Sequence, residues 1–162
     1  MNKLRLILGD QLNINHSWFK ENNSKITYVM MEVKEETSYV LHHAQKIIAT
    51  FAAMRFFAEQ LQQKGFEVIY FKINDKQNKQ SFYQNINKTI KEKNIGELQY
   101  LEPDEYRLST ELKKLESIEN LKVELVDTEH FLVPKLYAKD FFSEKKHWRM
   151  EEFYRNMRKK FS

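Results

Sequence analysis

Acidic and polar side chains follow three apolar segments of the sequence, in each case at the point where the segment ends. The candidate binding residues are Asp10, Gln11, Glu32, Glu35, Glu105 and Tyr106. Carboxylates, an amide and a phenol suit the hydroxyls and ring nitrogens of a polyhydroxylated heterocycle. A phosphate group is a less suitable ligand, because clustered carboxylates would repel it. A dinucleotide is also disfavoured, because no glycine-rich phosphate-binding motif follows the first apolar segment. The pattern favours a small-molecule binding site.

Some of these positions have an ordinary structural explanation as well. Asp10 could equally cap a helix or form a turn, and Asp104 is the expected N-cap of the helix that follows it. The adjacent His42 and His43 would point to different faces, and no further ligands lie at suitable spacing, so we expect no metal site. No nucleophile–base pair stands at an informative spacing, so we expect no catalytic residues.

Short apolar runs alternate with helical periods along the chain. The runs predicted to be buried strands are Lys3–Leu8, Ile26–Met31, Phe66–Phe71, Leu98–Leu101 and Val123–Val126. The predicted helices are Val40–Lys64 closed by Gly65, Phe82–Ile90, Leu108–Leu115, and one that begins at Trp148. This alternation predicts an α/β fold, Rossmann-like and three-layered (αβα), with a five-stranded parallel sheet. Ligands of such sheets bind outside the carboxyl ends of the strands.

The composition limits the compartment and the chemistry. A chain of 162 residues has room for one domain with a full core, and it contains no cysteine. Disulfides, thiolate zinc sites and cysteine-ligated iron–sulfur clusters are therefore excluded from this stretch. No segment approaches the roughly 20 apolar residues of a membrane span. We expect a cytoplasmic protein with no membrane contact.

The positive charge of the chain is concentrated near its C-terminus. The net charge is +4, and residues 144–162 carry seven basic side chains against three acidic ones, which accounts for the whole excess. The candidates for contact with nucleic acid or a protein partner are Lys145, Lys146, Arg149, Arg155, Arg158 and Lys159. A solvated face of an ordinary helix is the alternative explanation.

The final helical segment also bears on the organisation of the chain. We predict an α/β domain over residues 1–140 and a basic amphipathic helix over 141–162. The apolar face of that helix, with Phe153, Tyr154, Met157 and Phe161, needs a surface to pack against. We therefore expect the chain to be cut from a longer one, with the helix at the start of a linker.

Five blocks of the sequence, in the same order, resemble the deoxyribodipyrimidine photolyase-related proteins, the prokaryotic iron–sulfur cryptochromes and (6-4) photolyases. The blocks are Leu8–Leu12, residues 32–47 from Glu32-Val33 to Gln45-Lys46-Ile47, Ala53–Ala58, Glu102–Leu108 followed by Phe131-Leu132, and Trp148–Lys159. Each block alone is weak evidence of relationship, but five blocks in the same order make the resemblance specific. Together they extend over nearly the whole chain.

The resemblance implies a role for the α/β domain. In that family the N-terminal domain holds an antenna chromophore, typically a ribityllumazine, and a larger helical domain downstream binds FAD, an iron–sulfur cluster and damaged DNA. An antenna-pocket role is implied for Asp10, Gln11, Glu32, Glu35 and the Glu105-Tyr106 region. This stretch contains neither the helical domain nor the cluster's cysteines, so we expect no photochemistry from it alone.

Two functions follow as hypotheses. The first is an antenna-chromophore-binding domain of a photolyase- or cryptochrome-related protein of light-dependent DNA repair or blue-light sensing, with the chromophore and a helical FAD-binding domain or subunit as partners. The alternative is an interaction module that docks DNA or a separate FAD-binding subunit through its basic C-terminal helix. A small enzyme of the nucleotide-binding type ranks last, because no catalytic constellation supports it.

Overall fold

A computed structural model describes residues 1–161 of the chain, apart from the side chain of Lys135. The strands are β1 (Asn2–Leu6), β2 (Ile26–Met31), β3 (Glu67–Phe71), β4 (Ile95–Leu101) and β5 (Lys122–Val126). The helices are α1 (Lys34–Ser38), α2 (Ala44–Gln63), α3 (Phe82–Lys93), α4 (Tyr106–Lys113), α5 (Lys135–Phe142) and α6 (Met150–Phe161), with short 3₁₀ turns at Ser17–Phe19 and Lys114–Ser117.

The five strands form one sheet in the order β3-β2-β1-β4-β5, and every neighbouring pair is parallel. Side chains of successive residues alternate between two apolar clusters. Leu6 joins the cluster that includes Ile86 of α3, whereas Ile7 joins the cluster that includes Leu61 of α2. Helices therefore cover both faces, and the predicted three-layer α/β fold with a five-stranded parallel sheet is confirmed.

The element boundaries differ from the predicted ones for local reasons. Strand β2 has the predicted bounds, but β4 begins at Ile95, three residues before the predicted start. Asn94 adopts a left-handed conformation with φ of 50°, which ends α3 and turns the chain directly into the strand. The predicted N-cap Asp104 is wrong by one residue, because Glu105 takes that position at the start of α4.

The connection from β2 to α2 contains a helix that the sequence did not indicate. Helix α1 lies outside the predicted helices, and α2 begins at Ala44 instead of Val40. The Nδ1 atom of His43 accepts a hydrogen bond from the backbone N–H of Gln45 at 3.2 Å, which caps α2 at this point. His43 is therefore the N-cap of a helix.

The chain divides into two compact units, Met1–Thr128 and Glu129–Ser162. The first contains the sheet with α1–α4. The second contains α5 and α6 around an aromatic cluster in which Phe142 stacks on Trp148 and Phe153, with ring centroids 5.4 and 5.8 Å apart. The predicted division into 1–140 and 141–162 stays a prediction. Within residues 1–161, no helix has both the length and the apolar character needed to cross a membrane.

A buried carboxylate lies at the carboxyl end of β2. The side chain of Glu32 is fully buried and forms a two-pronged ion pair with Arg55 of α2, at 2.6 Å to Nε and 2.8 Å to Nη2. The same carboxylate accepts hydrogen bonds of 2.8 Å from the Tyr70 hydroxyl and from the backbone N–H of Ile73. One side chain thus joins β2, β3, the loop after β3 and the middle of α2.

The surroundings of Glu32 determine its protonation. Burial alone raises the pKa of this carboxyl, but the hydrogen bonds from Arg55, Ile73 and Tyr70 outweigh burial, and the pKa lies below its ordinary value of 4.5. Burial and the hydrogen bond to Glu32 raise the pKa of Tyr70, which keeps that phenol a donor. The network is charged at neutral pH.

Replacement of Glu32 by Gln should destabilise the protein by about 2 kcal/mol at pH 7, because donors aimed at the carboxylate lose an acceptor. The folded pKa is lower than the unfolded pKa, so the unfolded state binds more protons in this range. The stabilisation is therefore lost as the pH falls through the folded pKa. The difference between wild type and Glu32→Gln in urea-induced unfolding should shrink below pH 4.5.

The matched control is Glu67→Gln, which removes an ion pair of 2.7 Å with Lys93 in which both side chains are 45% exposed. Its effect should stay within about 0.5 kcal/mol, because solvent screens exposed pairs. Equal losses from the two substitutions at pH 7 would contradict a special role for the buried carboxylate.

Candidate functional site

The sheet opens a crevice at the carboxyl end of β1. The strand order reverses there, because β1 is followed along the chain by its neighbour β2 on one side, while β4 lies on the other side. The connections after β2 and β4 leave in opposite directions, and ligands of open α/β sheets bind in the gap between them. The predicted site therefore has a defined location in the fold.

A cavity of about 260 Å³ occupies this crevice, within the unit Met1–Thr128. Its floor consists of buried apolar side chains from both faces of the sheet, namely Leu8, Met31, Val33, Met54, Phe82 and Leu108. Its polar lining consists of Asp10, Glu36, Tyr39, His42, Lys46, Thr50 and Glu105. This volume is slightly below the range of about 300–1,000 Å³ that is typical of ligand pockets, so the cavity accommodates a small ligand better than a dinucleotide.

Two of the predicted binding residues line the cavity. Asp10 enters it from the loop after β1, and Glu105 enters it from the N-cap of α4. The two carboxylates come from the segments that follow the adjacent strands β1 and β4. They provide hydrogen-bond acceptors for hydroxyl or N–H donors of a ligand.

Gln11 supports the cavity from outside its lining. The side chain is buried, its Oε1 accepts from the Leu8 N–H at 3.1 Å, and its Nε2 donates to the carbonyls of Leu101 at 3.3 Å and Glu102 at 3.4 Å. This amide ties the loop after β1 to the end of β4 and thereby fixes the place of Asp10. Its predicted contact with a cofactor stays a prediction.

The other predicted residues lie away from the cavity lining. Glu32 is enclosed by the network described above, and Glu35 turns to α3, where its Oε2 accepts from the Phe82 N–H at 3.2 Å. The Tyr106 side chain is 86% exposed. The structure thus brings Asp10 and Glu105 together at the cavity and gives Glu35 a helix-capping contact.

Sequence reasoning missed the lining residues on α1 and α2. In α1 the cavity receives Glu36 and not its neighbour Glu35, because adjacent helical residues point about 100° apart. In α2 the lining residues Ile47, Thr50 and Met54 recur at steps of three and four. The sequence predicted this helix without assigning any of its residues to a binding site.

Burial and neighbouring charges raise the pKa of Glu36 at the cavity. Burial raises the pKa of Glu36, Arg107 opposes this effect through a hydrogen bond of 2.9 Å, and the charges of Glu105 and Glu35 add to the rise. The resulting pKa of Glu36 lies above its ordinary value of 4.5.

Among the described residues, no group of three or more His, Asp or Glu side chains is placed to hold a metal ion.

Gly9 permits the close approach of α2 to the loop after β1. A Cβ atom at this position would lie 3.0 Å from Sδ of Met54 and 3.1 Å from Cγ2 of Thr50. Gly9→Ala should lower the free energy of unfolding by about 1 kcal/mol through overpacking, as measured by urea denaturation. Adding Thr50→Ala should recover part of that loss.

Gly96→Ala is the control for this prediction. The three atoms nearest to a Cβ at Gly96 all belong to the side chain of Met1, which is 82% exposed and free to move aside. If Gly96→Ala lowered the free energy of unfolding as much as Gly9→Ala, or if Thr50→Ala restored none of the loss, contact with α2 would not be the reason for glycine at position 9.

Comparison with known proteins places this architecture in a family. The profile described as deoxyribodipyrimidine photo-lyase-related protein matches residues 5–162. A (6-4) photolyase of Agrobacterium fabrum is 35% identical over 161 residues, which cover 99% of this chain and 32% of the relative. The chain thus spans about a third of the length of that relative. The matched segment includes the sheet, the crevice and α6, and the chain belongs to the deoxyribodipyrimidine photolyase-related protein family.

Proposed function

We propose that the unit Met1–Thr128 binds an antenna chromophore of the ribityllumazine type for a photolyase- or cryptochrome-related protein. The observation that carries the proposal is the cavity at the strand-order reversal, with its apolar floor and carboxylate lining. In the whole protein the chromophore would absorb light for a flavin bound elsewhere. Light-dependent DNA repair or blue-light sensing would then belong to the complete assembly, and this unit would not be catalytic alone.

The donors and acceptors of the lining fit such a molecule. A planar bicyclic ring can contact the apolar floor and Phe51, while a polyhydroxylated side chain can donate to Asp10, Glu36 or Glu105. Lys46 is a lining cation that can donate to ring carbonyls. Three carboxylates would repel a phosphate group, so an unphosphorylated ligand fits better than a nucleotide.

Titration of the purified protein with a ribityllumazine tests the proposal through absorption and fluorescence anisotropy. Asp10→Asn and Glu36→Gln should each weaken binding about tenfold, because a hydrogen bond to a charged acceptor is worth about 1.4 kcal/mol or more. The ligand should also raise the Tm of the wild type.

Glu35→Gln is the matched comparison, since Glu35 is the neighbour of Glu36 but contacts the Phe82 N–H. Its affinity should equal that of the wild type, whereas the sequence alone predicted a ligand contact. Absence of saturable binding by folded wild-type protein would refute the antenna proposal. Equal losses from Glu35→Gln and Glu36→Gln would place the ligand elsewhere.

A second candidate function concerns the unit Glu129–Ser162. Exposed aromatic side chains, Trp148 at 69% and Tyr154 at 59%, lie among the basic residues of this unit. Part of the charge is compensated within it, because Arg155 pairs with Glu151 at 2.6 Å and Lys145 with Glu152 at 2.8 Å. We propose that the remaining surplus binds the phosphate backbone of DNA, with the exposed rings available for contact with bases.

Fluorescence anisotropy with a labelled duplex at several salt concentrations tests this second function. The triple variant Lys146→Gln, Arg149→Gln, Lys159→Gln should bind more weakly and lower the salt slope by about 0.9 for each phosphate that the protein no longer neutralises. The control triple Lys64→Gln, Lys76→Gln, Lys91→Gln removes the same charge from exposed positions of the other unit. Equal effects of both triples, or no binding at low salt, would contradict a specific role for the C-terminal unit.

A further inference from the structure

Arg107 lies behind the cavity and contacts three groups of its wall. Its Nη2 atom donates to Glu36 at 2.9 Å, and its Nε atom donates to Glu105 at 2.8 Å. The guanidinium carbon Cζ lies over the ring of Tyr39, 4.0 Å from the ring centroid. All three partners line the cavity, whereas Arg107 itself does not.

These contacts connect the two sides of the crevice. Glu36 and Tyr39 belong to α1 and its C-cap, which follow β2, whereas Glu105 and Arg107 belong to the start of α4, which follows β4. Strands β2 and β4 flank β1 on opposite sides. Arg107 therefore links the segments that leave the sheet in opposite directions, at the point where the ligand would enter.

Helix α1 has little else to hold it. It is five residues long and contains no buried residue, so apolar burial contributes little to its place. Hydrogen bonds of 3.2 Å from the Lys34 N–H to Gln80 and from the Phe82 N–H to Glu35 fix its first two residues, whereas the Arg107 contacts hold Glu36 and Tyr39. Tyr39 in turn packs edge-on against His42, with ring centroids 5.0 Å apart.

We propose that Arg107 is the positioning residue of this site: it sets the places of Glu36, Glu105 and Tyr39, and so determines the shape and selectivity of the cavity for its ligand. The part of this inference that concerns a ligand rests on the proposed chromophore function. The part that concerns the cavity wall does not.

The chemistry of the contacts requires arginine at this position. A guanidinium can donate from two different nitrogens to two carboxylates while its delocalised charge lies over an aromatic ring, whereas the ammonium of lysine is a single compact nitrogen and cannot reproduce this fork. Burial alone lowers the pKa of Arg107, but the hydrogen bonds to Glu105 and Glu36 outweigh burial and raise it. The group stays charged and offsets the repulsion between two acids that face one cavity.

A spin label tests the positioning without any ligand. The chain contains no cysteine, so Val40→Cys gives a single labelling site directly after Tyr39, at a half-exposed position. In that background, Arg107→Lys and Arg107→Gln should both increase the mobility of the nitroxide in the electron paramagnetic resonance spectrum. The control Lys93→Gln, which removes an exposed ion pair with Glu67, should leave the spectrum unchanged.

Titration of the same Arg107 variants, without the label, with a ribityllumazine tests the effect on the site. Both should bind at least about tenfold more weakly than wild type, and any remaining bound ligand should show a shifted absorption maximum. A lysine variant with wild-type label mobility and wild-type affinity would overturn the proposal. If the wild type binds no ribityllumazine, the chromophore function fails, while the label mobility still decides the role of Arg107.

Discussion

The ion pair between Glu32 and Arg55 is the constraint on which the arrangement of the crevice depends. It fixes α2 against the end of β2, beside the buried residues Met54 and Phe57 of that helix. A buried carboxylate without partners would be costly, and here four donors from three other elements satisfy it. The position of α2, and with it one wall of the cavity, follows from this arrangement.

The rest of the cavity wall depends on polar contacts between segments that are far apart in the sequence. Gln11 connects the loop after β1 to the end of β4, and Arg107 connects α4 to α1. Neither side chain lines the cavity, yet each holds residues that do. The core thus fixes the apolar residues of the cavity. Gln11 and Arg107, which lie outside the lining, fix acidic residues that line it.

The fold was largely predictable, because apolar runs and helical periods follow directly from burial on a parallel sheet. The site was predictable only in part. The ends of the predicted strands indicated Asp10 and Glu105. Whether Glu35 or Glu36 faces the cavity depends on α1, which is too short to produce a helical periodicity in the sequence. Glu32 follows a strand end as Asp10 does, and no sequence signature distinguishes a buried, paired carboxylate from an acid that lines a cavity.

Family membership and geometry answer different questions about this chain. The match over residues 5–162 identifies the lineage, and the cavity at the strand-order reversal identifies where a small molecule fits. Neither follows from the other, because a fold accommodates many functions through the residues at its sites. The lining carboxylates and Lys46 restrict the chemistry of the ligand more closely than the fold does.

The two halves of α2 differ in a way that bears on how this site can evolve. No residue from Ala44 to Ala53 is buried, whereas Met54, Phe57, Ala58 and Leu61 in the second half all are. Substitutions in the first half therefore change the cavity wall at small cost to the core. Variation in the residues that line the cavity can accumulate in about three helical turns, while the second half keeps the sheet covered.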